Sequence, residues 1–277
     1  MRVLVTGANG AMGSVLRARL ATTPGVSAHY LVGRERVESG DRQLDIADAG
    51  ALSAAISDVA PQVILHLAGI TGAACDVDLD RTRAVNVDAV ASIMRTVPQA
   101  GVSRVVFLSS SSVYGDSYAS PVGESAEPRP RSHYARSKLA AEHEIASVLT
   151  DGTEAIALRV FNVYGPGFEH SLVNRLLGSS EQSPVTLGGL DDFVRDYVHV
   201  NDVVSAIMAS LTAAVPARFT PINVGSGVPT SNRRLVDVLS TQHDVHWKLG
   251  EPVRSYSCAR IDLCREVLQV SPADLVP

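Results

Sequence analysis

The chain has 277 residues, 45% of them hydrophobic, and a net charge of −5. That is ample apolar material for one large domain or two closely joined smaller ones, and the acidic balance argues against nucleic acid or an anionic membrane as the main partner. Cys75, Cys258 and Cys264 have no metal-type spacing and an odd count, no apolar run reaches the roughly 18 residues of a membrane span, and strand pattern starts at once, so the expectation is a cytoplasmic protein with reduced thiols, no metal and no membrane segment.

In chain order, residues 2–6 are predicted as a buried strand and 11–22 as a helix. Residues 28–32 give a second strand and 49–59 a second helix. A third strand follows at 63–67, a long helix at 82–99 and a fourth strand at 104–108. Residues 134–150 read as a helix and 154–159 as a further strand. Continuous apolar strands alternating with helices predict an α/β fold, a doubly wound parallel Rossmann sheet covered on both faces with right-handed crossovers. After about Gly165 the rhythm breaks, although 197–200 and 221–224 read as strands again. The expected division is a dinucleotide-binding domain over 1–165 and 193–227, with a small discontinuous substrate lobe from 166–192 and 228–277.

Thr6-Gly-Ala-Asn-Gly-Ala-Met-Gly13 joins the first strand to the first helix. Gly7, Gly10 and Gly13 allow a tight turn and close backbone approach to a pyrophosphate, with free N–H groups of the helix start beside them. Gly7, Asn9, Gly10, Ala11, Met12 and Gly13 are therefore expected to hold a dinucleotide. The second strand ends Val32-Gly33-Arg34-Glu35-Arg36, with glycine where an acidic residue normally binds the adenosine ribose of NAD. Arg34 and Arg36 suit a 2′-phosphate, which favours NADP with NAD as the alternative. Glu35 could instead reach a ribose hydroxyl, and a solvated charged loop explains the stretch as well. Asp45, followed by Ile46, is placed either to accept from an adenine amino group or to flank a helix as a cap. The small residues after His66 (Leu67, Ala68 and Gly69) would let backbone approach the cofactor, whereas His66 itself reads as a packed strand residue.

Tyr134 and Lys138 stand four apart on one helix face. A free tyrosine has a pKa of about 10, and a lysine ammonium one turn away, with an oxidised nicotinamide, would lower it. Ser110, at the end of the fourth strand, can hydrogen-bond the reacting oxygen. Ser110, Tyr134 and Lys138 are the expected catalytic set.

With Ser109-Ser-Ser-Ser-Val-Tyr-Gly115, Tyr134-Ala-Arg-Ser-Lys138, Arg159-Val-Phe-Asn-Val-Tyr-Gly-Pro-Gly167 and Arg195-Asp-Tyr-Val-His-Val200 falling in that order, residues 1 to about 227 resemble the extended short-chain dehydrogenase/reductases, above all the nucleotide-sugar epimerase/dehydratase branch. The resemblance selects Ser110, four residues before Tyr114, over its neighbours. It implies further cofactor contacts at Asn86, Phe161 and Val163, substrate contacts at Ser111, Ser112 and Asn162, and packing of Leu172 and Val173 near a nucleotide base. Arg195 is implied to bind the diphosphate, against the plainer reading that it pairs with Asp192 or Asp196. Arg254 and Asp262 fall near the family's closing diphosphate segment, with a spacing that departs from it.

Within the family, 4,6-dehydratases carry an acidic pair directly after the catalytic hydroxyl residue; Ser111 and Ser112 stand here, so dehydration is disfavoured. The Gly33-Arg34-Glu35-Arg36 stretch resembles the NADPH-using reductases of the branch, while the serine run and the Tyr134 region resemble 4-epimerases. The expectation is an NADPH-dependent 4-ketoreductase of a nucleotide-diphosphate keto-deoxyhexose, with an NAD-dependent 4-epimerase as the alternative. A non-catalytic dinucleotide sensor, the reading from a different class, is opposed by the presence of all three catalytic residues. A non-sugar carbonyl reductase is opposed by Arg195 and Asn162, since a neutral small substrate needs no diphosphate clamp. The resemblance further implies a homodimer paired through the helices at 82–99 and 134–150.

Overall fold

The computed structural model describes residues 1–33, 37–149 and 151–275. The first apolar run forms β1 (Arg2–Thr6), and the chain turns at Gly7 into α1 (Ala11–Ala21). β2 (Ser27–Val32) is followed by β3 (Arg42–Gln43), a two-residue exposed polar strand that no apolar pattern announces. α2 (Ala49–Val59) starts where the Asp48 carboxylate accepts from the Ala51 N–H, and β4 (Val63–His66) is wholly buried.

The helix expected over 82–99 starts earlier and is not uniform. Its cap is Asp78, which accepts from the Arg81 N–H, and α3 (Leu79–Arg83) runs through a π-turn at 84–88 into α4 (Ala89–Ala100). The apolar period shows only from Thr82 because the first turn, Leu79 to Arg81, is exposed. β5 (Arg104–Ser110), α5 (His133–Val148, capped by Ser132) and β6 (Glu154–Val160) complete the regular alternation.

β6, β5, β4, β1, β2 and β3 lie side by side and parallel, and the apolar strand β11 (Phe219–Val224) returns beside β6 to make seven. The order reverses direction between β1 and β4, which opens a crevice at their carboxyl ends, the usual ligand position in such sheets. Alternation along β1 shows how both faces are covered. Val3 and Val5 pack with Leu16 of α1 and Ile207, whereas Leu4 packs with Ile56 of α2, Ile93 of α4 and Ile145 of α5. No helix among the described residues is long and apolar enough to cross a membrane.

Short elements fill the remainder: β7 (Asn162–Tyr164), α6 (Leu172–Leu177), β8 (Val185–Leu187), β9 (Phe193–Arg195), β10 (Tyr197–His199) and α7 (Val200–Ser210), then β12 (Thr230–Ser231), α8 (Asn232–Leu239), β13 (Trp247–Leu249) and β14 (Ser255–Ser257). β9 is the middle strand of a small sheet between β12 and β14. A separate core of Tyr164, Val173, Leu176, Leu187, Tyr197, Leu235 and Leu239 lies beneath these elements. Asp196 fastens them to the main sheet. It is fully buried and accepts from the backbone N–H groups of Ser226, Gly227 and Ala259 and from the Ser226 hydroxyl. Burial nonetheless holds its carboxyl above the ordinary range, against those donors.

A second buried charge lies near the carboxyl end of β6, beside α5. Glu142 of α5 and Arg159 of β6 pair at 2.6 Å with 2% and 5% residue exposure. The Ser109 hydroxyl donates to Glu142, Arg159 donates to the Tyr114 hydroxyl, and Tyr114 donates to Asn223 of β11. Burial pulls the Arg159 pKa down, but the bonds and charge of Glu142 outweigh it and the net shift is upward. Removing one member leaves an uncompensated buried charge. Glu142→Ala should therefore lose about 3–5 kcal/mol of stability in urea unfolding; a loss within about 0.5 kcal/mol, the range of a neutral surface change, would show the pair to be dispensable.

Candidate active site

The carboxyl end of β1 meets α1 across a turn that admits no side chain at two points. Gly7 has φ +72°, and a Cβ there would meet the Ala68 Cα at 2.7 Å. A Cβ on Gly13 would run into the Gly7 carbonyl and the Ala8 backbone. This close packing sets the start of α1, with no acidic residue in its first turn, against the crevice. A cavity of about 570 Å3 opens there, lined by Asn9, Gly33, Asp45, Ile46, Ala68 and Arg81 among others. It joins a second cavity of about 330 Å3 through the shared residues Gly7, Gly10, Leu67 and Gly69. A glycine-walled bed leading from one cavity to the next fits an extended dinucleotide.

The second cavity contains the expected catalytic set: Ser110 from the end of β5, and Tyr134 and Lys138 from the first turns of α5, with Ala11, Met12, Gly13, Phe161, Val163, Thr71 and Phe168 around them. Ser110 hydrogen-bonds the Tyr134 phenol. Lys138 Nζ lies 5.9 Å from the centre of the Tyr134 ring and 4.7 Å from that of Phe107, and it donates to the Leu108 carbonyl at 2.8 Å. The Tyr134 pKa is raised, and Lys138 is not among the groups that shift it in the protein by itself. Burial raises the phenol above its ordinary value, and the Ser110 bond offsets only part of that. Burial acts on Lys138 in the opposite sense and pushes its ammonium down to about 8, with the Cys75 and Glu142 charges opposing. His66, stacked on Phe107 and bonded to Thr6, is pushed down to about 3 by burial and by Lys138. It is a packed neutral residue, as expected.

Beyond Val163, which lines both spaces, lies a third cavity of about 410 Å3. Its walls include Asn162, Leu172, Arg195, His170, Arg175, Phe193 and Asn232, and among the described residues no carboxylate lines it. Arg195 pairs with neither Asp192 nor Asp196. Its guanidinium lies 3.9 Å from the Phe193 ring centre and donates to the Val194 carbonyl and the Ser255 hydroxyl, and Ser255 in turn donates to Asp116. Burial lowers the Arg195 pKa, opposed by the Tyr197 and Asp116 charges.

Several expected contacts are placed differently. Val173 is 1% exposed and belongs to the small core, so only Leu172 of that pair faces the cavity. Ser111 and Ser112 line neither the catalytic nor the third cavity, because the chain turns away after β5 and the Ser112 N–H donates back to the Ser110 hydroxyl. Asn86, on the π-turn, spends its amide on the Ile70 backbone and Ser137; it sits behind Gly69 and positions that segment rather than lining a cavity. Asp45 accepts from Arg81 at 2.8 Å. Arg34 and Arg36 lie outside the described residues, as does Glu35. Arg254 lines a neighbouring space with Asp116 and Arg131, and Asp262 is exposed. Arg81, Arg175 and Phe193 were not anticipated. Arg175 stands three residues after Leu172 on α6, so helical spacing was a usable signal; the other two depend on the paths of loops.

A family model described as the NAD dependent epimerase/dehydratase family matches residues 3–225. UDP-glucose 4-epimerase of Mycolicibacterium smegmatis is 34% identical over 85% of this chain and 80% of its own length. GDP-6-deoxy-D-mannose reductase of Pseudomonas aeruginosa is 29% identical over 86% of this chain and 79% of its own. Among solved structures, MoeE5 in complex with UDP-glucuronic acid and NAD superposes with a TM-score of 0.85 and 28% identity, covering 100% of this chain and 95% of that one.

Charging Lys138 in this site costs stability. With its folded pKa near 8 and its unfolded value near 10.4, the cost is fully present below pH 8 and disappears as the pH rises through the unfolded value. Lys138→Met should raise stability at pH 7 by about 2 kcal/mol, the relief of the buried charge less the lost bond to Leu108. The gain should shrink toward pH 10. Thermal melts at both values check this, and a Lys138→Met protein less stable at pH 7 would refute it.

Proposed function

The chain belongs to the NAD dependent epimerase/dehydratase family, and we propose from that premise that it is a nucleotide-diphosphate-sugar 4-epimerase. The observation that carries this reading is the meeting at Val163 of the Ser110, Tyr134 and Lys138 cluster with a cavity that holds two arginines and, among the described residues, no carboxylate. Such a cavity suits a ligand with a diphosphate next to a neutral reacting sugar, and a guanidinium matches phosphate oxygens bidentately. The curated UDP-glucose 4-epimerase at 34% identity and the NAD-bound MoeE5 structure support the same reading.

When bound, the nicotinamide dinucleotide supplies the redox chemistry; Gly7, Asn9, Gly10, Gly13, Asp45, Ile46, Leu67, Ala68 and Gly69 would hold its adenosine and phosphates, and Lys138, Phe161 and Val163 its nicotinamide half. The side chains handle the proton. Ser110 holds the sugar hydroxyl against Tyr134, whose phenol oxygen takes the proton in one direction and returns it in the other. A buried phenol held above its usual pKa needs a positive charge to serve as base, and Lys138, whose Nζ lies 5.9 Å from the ring centre, is the cation we assign to that role. The absence of acidic side chains at 111 and 112 leaves no general base beside Ser110 for elimination.

A second reading, an NADPH-dependent ketoreductase of a nucleotide-linked 4-keto sugar, has its own support. Gly33 supplies no carboxylate for an adenosine ribose, Arg81 brings a guanidinium into that cavity, and Arg34 and Arg36 follow in sequence. The reductase at 29% identity is consistent with it. Release of bound nucleotide and titration of the apoprotein with NAD and NADP separates the two. Retained NAD and interconversion of UDP-glucose and UDP-galactose, or of another C4 pair, is the expected result; NADPH consumption with a 4-keto sugar would replace it with the reductase. In either reaction Tyr134→Phe should lower turnover by about 10²–10⁴-fold while leaving the dissociation constant of the cofactor nearly unchanged; substantial residual activity would refute the assignment.

A further inference from the structure

Arg195 belongs to β9 of the small sheet, yet the carboxylate that orients it follows β5 of the main sheet. The guanidinium donates to the Val194 carbonyl and to the Ser255 hydroxyl, each at 2.8 Å, with the Phe193 ring against its plane. Ser255, on β14 and 3% exposed, donates in turn to Asp116 Oδ2 at 2.8 Å. An arginine can only donate and a carboxylate only accept, so the direction of both bonds is forced. Asp116 takes the one hydrogen of the hydroxyl and thereby leaves its lone pairs to Arg195.

Asp116 is itself held from several sides. A single tight turn, 111–114, separates it from Ser110, and the turn leaves through Gly115, whose φ is +73° and where a Cβ would meet the Arg129 carbonyl at 2.6 Å. The Asp116 carbonyl accepts from the Tyr256 N–H at 3.0 Å, and Ser117 bridges to Tyr256. Its Oδ1 lies 2.9 Å from Arg131, the residue before the Ser132 cap of α5. Neither Asp116 nor Ser255 lines the second or the third cavity; both border the neighbouring space of about 380 Å3. They touch the arginine, not the space a ligand would fill. As a charge alone, a carboxylate this close to Arg195 works against an anionic ligand. Orientation is the service that it can give.

We propose that Asp116 is a positioning residue: acting through Ser255, it holds the Arg195 guanidinium in register with Ser110, so that a diphosphate gripped by Arg195 sets its sugar against Tyr134. This inference rests on the nucleotide-diphosphate-sugar reading given above. The grip on the substrate then depends on a carboxylate that the substrate does not touch, supplied by the same turn that begins at the catalytic serine. Charge and orientation make opposite predictions for its removal: tighter diphosphate binding if charge dominates, weaker binding if orientation does.

The test is calorimetry with UDP, or with dTDP or GDP if one of those binds instead, on the wild-type protein, Asp116→Ala, Ser255→Ala, their double variant and Ser255→Thr. Asp116→Ala and Ser255→Ala should each weaken the diphosphate about tenfold, and the double variant should lose no more than either, because the two side chains act as one unit. Ser255→Thr keeps the hydroxyl and should bind as the wild type does. The dissociation constant of the dinucleotide should be the same in all five proteins. Equal or tighter diphosphate binding by Asp116→Ala, losses that add in the double variant, or dinucleotide binding that weakens in parallel overturns the proposal. Should Asp116→Ala not fold, the Ser255 pair decides: rescue by Thr of what Ala loses upholds the relay, and the same result for both overturns it. Failure of UDP, dTDP and GDP alike to bind the wild type would instead overturn the reading of the cavity as a nucleotide-sugar site, and the role of Asp116 with it.

Discussion

The buried ion pair between Glu142 and Arg159 is the constraint on which the site depends. Tyr134, Lys138 and Glu142 are spaced by four along α5 and so form one stripe on the helix. The first two line the second cavity, and the third is locked into the sheet through Arg159. The same carboxylate accepts from Ser109, next to Ser110, while Arg159 holds Tyr114, in the turn that Ser110 begins, and through it Asn223 of β11. Helix rotation, strand position and turn geometry are thus set together by one fully satisfied network. A satisfied buried charge pair is a weak source of net stability but a strong source of fixed geometry, and fixed geometry is what a proton-transfer pair requires.

Burial then determines the electrostatics. It removes the charge from His66 and raises Tyr134, and it leaves Lys138 as a cation whose proton is loosely held. The charge of Glu142 works against the desolvation of Lys138, so the residue that orients α5 also helps to keep its lysine ionised. On the other side of Val163 the pattern changes: Arg195 is braced by the Phe193 ring and by the Ser255–Asp116 relay, and no carboxylate among the described residues is paired with its guanidinium.

The central sheet was legible because parallel strands buried on both faces read as unbroken apolar runs, and six strands fall within two residues of the positions expected from the sequence. β3 escaped because two exposed polar residues carry no such signal. The glycine turn and the Ser110, Tyr134 and Lys138 set were legible because spacing along a strand end and a helix face survives folding unchanged. Contacts that depend on where a turn leads were not. Ser111 and Ser112 line neither the second nor the third cavity although they adjoin Ser110, Val173 is buried although Leu172 is not, and Asn86 acts through a π-turn that periodicity does not show. Charged residues read by default as surface, which concealed the partnership of Glu142 with Arg159, and the titration of Tyr134 depended on a burial that sequence spacing does not report.

The two halves of the site are drawn from different stretches of the chain. Every described residue lining the first two cavities lies between Gly7 and Phe168. The third cavity draws on residues as late as Asn232, its arginine is braced by Ser255, and Asp196 beside that arginine is satisfied only when Ala259 arrives. On a ribosome releasing roughly 5–20 residues per second, the stretch proposed to bed the dinucleotide emerges seconds before the stretch proposed to grip the sugar nucleotide. On the function proposed above, the order of synthesis therefore runs in the same sense as the logic of the reaction, with the redox partner's bed laid down first and the substrate's grip completed last.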